Sequence, residues 1–191
     1  VQNTFDTTAL ANGRAEATEE MAAARRAELG LTKGHTVLFI GGLGPSKNLD
    51  LLVDSGRILA AADPLFRVVI AGDGPERERL ERIASTEPFL KLVGSVFDPV
   101  EKAVLASACD LLAVPGLVGL VAIDSFVLGI PIVTVSPWNH APEFEYLRNG
   151  ANCVVAAPEA SAYADAIRST LGDPDLLAAL SARCSAEASE Y

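Results

Sequence analysis

The sequence predicts an α/β fold, namely a Rossmann-like parallel sheet of about six strands with helices on both faces. Six short apolar runs, rich in β-branched residues, alternate with segments of helical length. The runs are apolar at successive positions, which indicates strands that are buried on both sides. The turns that follow them are rich in Gly, Pro, Asp, Asn and Ser, as is usual where a strand leads into a helix.

The pattern places each element in order along the chain. An Ala-, Glu- and Arg-rich helix is predicted over Arg14–Leu29, with Gly30 as its stop signal. The predicted strands are Thr36–Ile40, Arg67–Ala71, Leu90–Val93, Leu111–Val114, Pro131–Val135 and Asn152–Val155. The predicted helices between and after them are Leu49–Ala62, Glu76–Ser85, Pro99–Ser107, Leu120–Leu128, Glu143–Arg148 and Ala160–Leu171. A last helix is capped by Asp173, continues through Pro174 and runs towards Tyr191.

We interpret residues 1–191 as one domain with a leading segment (1–30), a βα core (31–172) and a C-terminal helix (173–191). A chain of this length buries roughly 70% of its unfolded surface and needs no metal or disulfide for stability. The three cysteines, Cys109, Cys153 and Cys184, form no close pair and are expected to be reduced, buried thiols. This cysteine usage and the lack of a signal peptide or membrane-spanning run favour a cytoplasmic location.

The chain is acidic, with 15 Lys+Arg against 25 Asp+Glu and a formal net charge of −10. Such a surface disfavours nucleic acid, because that binding depends largely on contacts between cations and phosphates. A ligand that carries phosphate therefore has to be held by a local arrangement of hydrogen-bond donors. Neither His35 nor His140 has metal-ligand spacing to other candidate ligands, so no metal site is predicted.

The turn after the first predicted strand, Gly41–Asn48, is a candidate phosphate loop. Gly41, Gly42 and Gly44 would let the backbone approach a phosphate, and Lys47 would supply a positive charge. The turn matches neither the dinucleotide fingerprint nor the Walker loop. An ordinary structural turn is the alternative interpretation.

Asp124 is the second candidate, five residues after Gly119 and inside an otherwise apolar helix. A carboxylate in such surroundings is costly to bury unless it has a partner. That partner could be a ligand hydroxyl, a backbone amide or a lysine.

These residues belong to a longer series of motifs, which together resemble one protein family. In order they are Asn3–Asp6, the Gly-rich turn with Lys47, Val69–Glu76, Leu92–Val96, Cys109-Asp110 leading to Pro115, Gly119-Leu120 leading to Asp124, Gly129–Val133 and Pro142-Glu143. The chain resembles the C-terminal, nucleotide-sugar-binding domain of family-4 retaining glycosyltransferases, and its predicted fold would be one half of their two-domain GT-B fold. The resemblance covers nearly the whole chain.

The resemblance implies roles for individual residues. Lys47 would contact the donor diphosphate, and Asp124 would bind the ribose hydroxyls at the place of the family's second motif glutamate. The backbone of Ser95 and Val96 would receive the nucleobase. The donor-binding set is Gly41, Gly42, Gly44, Lys47, Gly72, Ser95, Val96, Gly116, Gly119, Leu120, Val121 and Asp124, with Lys47 and Asp124 as the catalytic pair.

Two positions depart from the family pattern. Gly42 stands where the family usually has an arginine, and Gly116 stands where its first motif glutamate contacts the donor sugar. The turn 115–119 is also shorter than usual. His140, in the turn before Pro142, is a further candidate for a contact with the donor sugar.

As a whole, the resemblance implies transfer of a sugar from a UDP- or GDP-linked donor with retention of configuration and without a cofactor. Residues 1–30 would include the connection to an N-terminal acceptor-binding domain, which is absent from the chain. The full-length enzyme would act in polysaccharide or glycoconjugate synthesis, with peripheral contact to the inner membrane face. The isolated chain is predicted to be inactive.

A dinucleotide-binding or non-catalytic Rossmann-like module is the alternative. NAD(H) binding usually requires an acidic residue about 20 residues past the glycines, at the end of the second strand. Asp73 comes 26 residues after Lys47, within a turn of its own. This spacing weakens the dinucleotide interpretation.

Overall fold

The sheet of this protein contains six parallel strands in the order β3-β2-β1-β4-β5-β6, in a computed structural model that describes residues 6–188. The strands are β1 (Thr36–Ile40), β2 (Arg67–Ala71), β3 (Leu90–Gly94), β4 (Leu111–Val114), β5 (Ile132–Val135) and β6 (Cys153–Ala156). The predicted fold class is confirmed. Each end of each predicted strand lies within one residue of the observed end. The motif at Asn3–Phe5 and the approach to Tyr191 lie outside the described residues.

Helices cover both faces of this sheet. They are α1 (Thr8–Glu16), α2 (Glu19–Leu29), α3 (Leu49–Ala62), α4 (Arg77–Ala84), α5 (Pro99–Ala108), α6 (Val121–Leu128), α7 (Ala160–Leu171) and α8 (Pro174–Glu187). The core has two parts, because alternate strand residues point to opposite faces. Leu38 packs in the part that includes α5 and α6, whereas Val37 and Phe39 pack in the part that includes α3 and α7.

The leading helix was predicted as one element over Arg14–Leu29, and this prediction is wrong. Two helices are present, since the chain is extended at Ala17 and Thr18 between α1 and α2. The Thr18 hydroxyl accepts a hydrogen bond from the Met21 N–H at 3.2 Å and so caps α2. Gly13 lets α1 lie directly against α5, because a Cβ there would be 2.5 Å from the Pro99 carbonyl carbon.

The predicted helix Glu143–Arg148 is also wrong, since this segment forms only a 3₁₀ turn over Pro142–Tyr146. Side-chain hydrogen bonds replace further helical ones, and the Arg148 N–H donates to Asn152 Oδ1 at 2.7 Å. Residues 147–152 then connect the turn to β6. The C-terminal helix α8 begins as predicted, because Asp173 Oδ1 accepts from the Leu176 N–H at 2.9 Å.

All three cysteines are free and buried, as the sequence predicts. Burial raises the pKa of Cys153 to about 12 and that of Cys184 to about 11. Burial raises the pKa of Cys109 as well. Each thiol therefore stays protonated and unreactive near neutral pH.

Candidate functional site

The candidate site lies between the neighbouring strands β1 and β4, where the strand order reverses. Strands β2 and β3 lie on one side of β1, and β4, β5 and β6 lie on the other. In parallel sheets ligands bind at the carboxyl ends of the strands at this switch point. Here the loops after four strands enclose a cavity of about 540 Å³. The cavity is lined by Ile40, Gly41, Gly42, Lys47, Ala71, Gly72, Asp73, Ser95, Val96, Phe97, Lys102, Leu120, Val121 and Asp124.

The floor of the cavity is formed by backbone from the loops after β1 and β2. Leu43 donates its N–H to the Asp73 carbonyl oxygen at 2.9 Å, which ties these loops together. Gly72 is required at this contact, because a Cβ there would lie 1.9 Å from the Gly41 carbonyl oxygen. The glycines thus allow two loops to pack at backbone distance beneath the cavity.

Lys47 ends a 3₁₀ turn over Pro45–Lys47 and forms part of the cavity wall. Its Nζ donates a hydrogen bond to the Leu117 carbonyl oxygen at 2.7 Å. The side chain is half-buried, and this burial lowers the pKa of the Lys47 ammonium. A cation in this position has hydrogen-bonding capacity left for an anion in the cavity.

The loop after β4 is bound to the Gly-rich loop through its backbone. The Leu117 N–H donates to the Ser46 carbonyl oxygen at 2.8 Å, and Asn48 Nδ2 donates to the Pro115 carbonyl oxygen at 3.2 Å. Gly116 sits between these bonds, and a Cβ there would lie 2.4 Å from the Lys47 carbonyl carbon. Gly116 is therefore a packing position beneath the site and does not line the cavity.

The N-terminus of α6 faces the cavity through Leu120 and Val121. Among the described residues, none accepts a hydrogen bond from the N–H groups of Gly119, Leu120 or Val121. The first N–H groups of a helix lack partners within the helix and carry partial positive charge. They can therefore donate to an anion bound beside Lys47.

Asp124 lies one turn further along α6, and a lysine is its partner. Lys102 Nζ, from α5, donates to Asp124 Oδ2 at 3.1 Å. Both side chains are partly exposed and line the cavity. Asp124 Oδ1 remains available, so the carboxylate can accept from a ligand hydroxyl while Lys102 holds its orientation.

The segment after β3 closes the far end of the cavity. Ser95 and Val96, two of the predicted donor-binding residues, line it, and Phe97 joins them with 87% of its surface exposed. Sequence reasoning missed Phe97 and Lys102. The sequence allows a lysine as a partner for Asp124, but no local pattern identifies Lys102, because the contact joins two helices.

His140 does not line the cavity. Its Nδ1 accepts from the Val118 N–H at 3.2 Å and its Nε2 donates to the Val135 carbonyl oxygen at 2.8 Å, which requires the neutral Nε2–H tautomer. The ring also stacks on Phe144 with centroids 3.9 Å apart. Because both nitrogens are engaged with backbone, His140 holds its loop in place and has no free nitrogen for a ligand.

Nine of the twelve predicted donor-binding residues thus line this cavity, and Gly44, Gly116 and Gly119 do not. Within residues 6–188 no group of three or more His, Cys, Asp and Glu side chains is arranged to hold a metal ion. No helix within the same range is both long and apolar enough to cross a bilayer.

A cavity at the switch point with a lysine and a helix N-terminus beside it is typical of anion-binding Rossmann-like domains. Comparison with known proteins identifies the family. The model of the family described as Glycosyl transferases group 1 matches residues 34–173, and the chain belongs to this family. Its fold is the C-terminal half of a GT-B glycosyltransferase.

Two curated relatives are similar in sequence. The chain is 32% identical over 88% of its length to D-inositol 3-phosphate glycosyltransferase of Nocardia farcinica, and covers 40% of that protein. It is 35% identical over 71% of its length to GDP-mannose-dependent alpha-(1-6)-phosphatidylinositol dimannoside mannosyltransferase of Mycobacterium tuberculosis, and covers 35% of that protein. The chain therefore spans well under half of each relative.

Two solved structures share the fold. The Anabaena protein HepE, in complex with UDP and glucose, matches 91% of this chain and 48% of its own, with a TM-score of 0.75 and 23% identity. The C-terminal domain of a group 1 glycosyl transferase (LpcC) from Francisella tularensis matches 91% of this chain and 93% of its own, with a TM-score of 0.70 and 13% identity. The second match indicates that a domain of this size and fold crystallises by itself.

Proposed function

We propose that this chain is the donor-binding domain of a glycosyltransferase and holds a nucleotide-diphospho-sugar in the cavity at the switch point. The observation that carries the proposal is that Lys47 and the start of α6 line the same cavity, and that no described residue accepts from the N–H groups of Leu120 and Val121. The net charge of −10 makes this local arrangement of donors necessary for an anionic ligand. UDP in the HepE crystal and the name of the GDP-mannose-dependent relative support UDP- or GDP-linked donors.

Within the site, each group has a distinct task. Lys47 and the N–H groups of Leu120 and Val121 bind the diphosphate and stabilise the negative charge that develops as it leaves. Asp124, oriented by Lys102, accepts hydrogen bonds from the ribose hydroxyls. The sugar is transferred with retention of configuration and without a metal ion, as the family resemblance implies. The acceptor binds to an N-terminal domain that belongs to the full-length, cytoplasmic protein, at the inner membrane face.

Replacement of Lys47 by alanine tests the phosphate role. We expect Lys47→Ala to weaken binding of UDP, GDP and inorganic pyrophosphate about ten-fold or more, because a charge-assisted hydrogen bond is lost. Isothermal titration calorimetry on the 191-residue chain measures the three affinities. Lys33→Ala is the matched control, since Lys33 is an exposed lysine before β1, at the opposite edge of the sheet. Equal affinities for the Lys47→Ala and Lys33→Ala chains would contradict the proposal.

Replacement of Asp124 by alanine tests the ribose role separately. Because pyrophosphate has no ribose, we expect Asp124→Ala to weaken UDP and GDP roughly ten-fold and to leave pyrophosphate nearly unchanged. Lys102→Met should show a smaller loss of the same kind, since Lys102 only orients the carboxylate. Equal losses for nucleotide and pyrophosphate would show that Asp124 acts on the phosphate end or on the fold.

A dinucleotide site remains the alternative outcome of the same titrations. The Asp73 carboxylate accepts from the N–H of the next residue, Gly74, at 2.8 Å and forms a salt bridge with Arg77. Both of its oxygens therefore already have partners within the protein. We therefore expect no binding of NADH. A chain that binds NADH but neither UDP nor GDP would overturn the donor-site proposal.

A further inference from the structure

Phe97 is the most exposed of the large apolar side chains in the described part of the chain, with 87% of its surface accessible. The next are Leu65 and Leu120 at 49% each. Phe97 also lines the cavity, so its ring lies at the edge of a binding site and is not an isolated apolar group on the outer surface. An aromatic ring left in water at such a place can gain considerable contact area from a flat ligand.

The backbone on both sides of Phe97 is fixed. On one side Gly94 ends β3 in the left-handed conformation (φ 75°), and its carbonyl oxygen accepts from the Gly72 N–H at 2.8 Å. On the other side Asp98 caps α5 by accepting from the Glu101 N–H at 2.8 Å. The backbone that carries Phe97 is therefore already ordered, so less conformational entropy is lost when its ring packs on a ligand.

The order of groups along the cavity indicates which part of a ligand Phe97 meets. Lys47 and the start of α6 lie beside the loop after β4, and Phe97 follows β3. Three inter-strand spacings of about 4.8 Å separate β3 from β4, which places their ends about 14 Å apart. Asp124 and Lys102 line the cavity as well, on α6 and α5, and α5 follows the Phe97 segment directly.

A nucleotide has the same order of parts, with the ribose joining the diphosphate to the base. With the diphosphate at Lys47 and the ribose at Asp124, the base extends towards the segment that carries Phe97. Val96 and Phe97 line this end of the cavity with apolar side chains, which suits the face of a flat ring.

We propose that the phenyl ring of Phe97 stacks on the nucleobase of the donor. The proposal rests on the donor-binding function proposed above and assigns to it a residue that supplies affinity for the base. Since every base has a π-face, this contact contributes affinity without choosing between uracil and guanine. Removal of a stacking ring reduces affinity about 5- to 140-fold.

Calorimetry with three ligands on the 191-residue chain tests this role. We expect Phe97→Ala to weaken UDP and GDP about ten-fold and to leave inorganic pyrophosphate unchanged, because pyrophosphate has no base. Phe97→Trp should retain or increase nucleotide affinity, since a larger ring can still stack. Leu65→Ala is the matched control, because it also removes an exposed apolar side chain, from the loop before β2 at the opposite edge of the sheet.

The outcomes separate this inference from the donor-site proposal. If the unmodified chain binds UDP and Phe97→Ala binds it equally well, stacking is overturned and the donor site stands. If Phe97→Ala loses affinity for pyrophosphate as much as for UDP, the ring acts on the shape of the site and stacking is again overturned. If the unmodified chain binds neither UDP nor GDP, both proposals fail.

Discussion

At the scale of single residues, Gly116 controls how the loops of the site fit together. It stands where the family resemblance places a glutamate that contacts the donor sugar. In this fold a Cβ at position 116 would lie 2.4 Å from the Lys47 carbonyl carbon and 2.5 Å from the Ser46 carbonyl oxygen. Both neighbours are backbone atoms, so no change of rotamer can relieve the contact. A side chain at this position would therefore separate the loop after β4 from the loop that carries Lys47.

This close contact makes Gly116→Ala a sharp test of the loop arrangement. We expect it to lower the free energy of unfolding by about 1–3 kcal/mol, as overpacking does elsewhere. Gly119→Ala is the control, because a Cβ at Gly119 meets no atom within 4 Å. Urea denaturation measures both variants. Equal stabilities for the two would contradict the loop contact described here, whereas a loss confined to Gly116→Ala would support it.

At the scale of elements, the strands were predictable because each is a short apolar run bounded by turn residues. The local sequence of a strand is then enough to predict it, as in β2 (Arg67–Ala71), whose predicted and observed bounds are the same. The leading helices were less predictable, because the break at Thr18 depends on a single capping hydroxyl within a segment of good helix formers. The 3₁₀ turn at Pro142–Tyr146 depends on bonds from Asn152, which the local pattern does not contain.

The same distinction applies to the elements that build the site. The loops that line the cavity were predictable, because the carboxyl ends of parallel strands meet at one edge of the sheet. The contacts between them were not, since Lys47 bonds to a carbonyl 70 residues away and Lys102 bonds to a carboxylate on another helix. His140 is an example of the opposite error, in which the sequence predicts a ligand contact for a residue that does not line the cavity. Its place in a turn at the ligand edge suggested a contact with the donor sugar, but its nitrogens are used within its own region of the fold.

At the scale of the whole molecule, charge and architecture lead to different expectations for binding and for turnover. The acidic surface provides no general attraction for anions, so binding depends on the donors of one cavity. That cavity is built from a single sheet edge, and the chain spans 40% of its Nocardia relative. On the donor-site proposal, binding of the donor requires only this chain, whereas transfer also requires an acceptor held opposite the cavity.

We therefore predict that the 191-residue chain binds UDP-glucose or GDP-mannose but does not turn it over. Positioning of two reactants supplies a large part of catalysis, and this chain would position only one of them. Calorimetry measures the binding, and release of UDP or GDP over time measures turnover, with the Lys47→Ala chain as the baseline. The longer Nocardia relative, assayed with its own substrates, is the positive control. Steady nucleotide release by the chain alone, abolished by Lys47→Ala, would show that one domain contains the whole catalytic machinery and would overturn the division of roles between two domains.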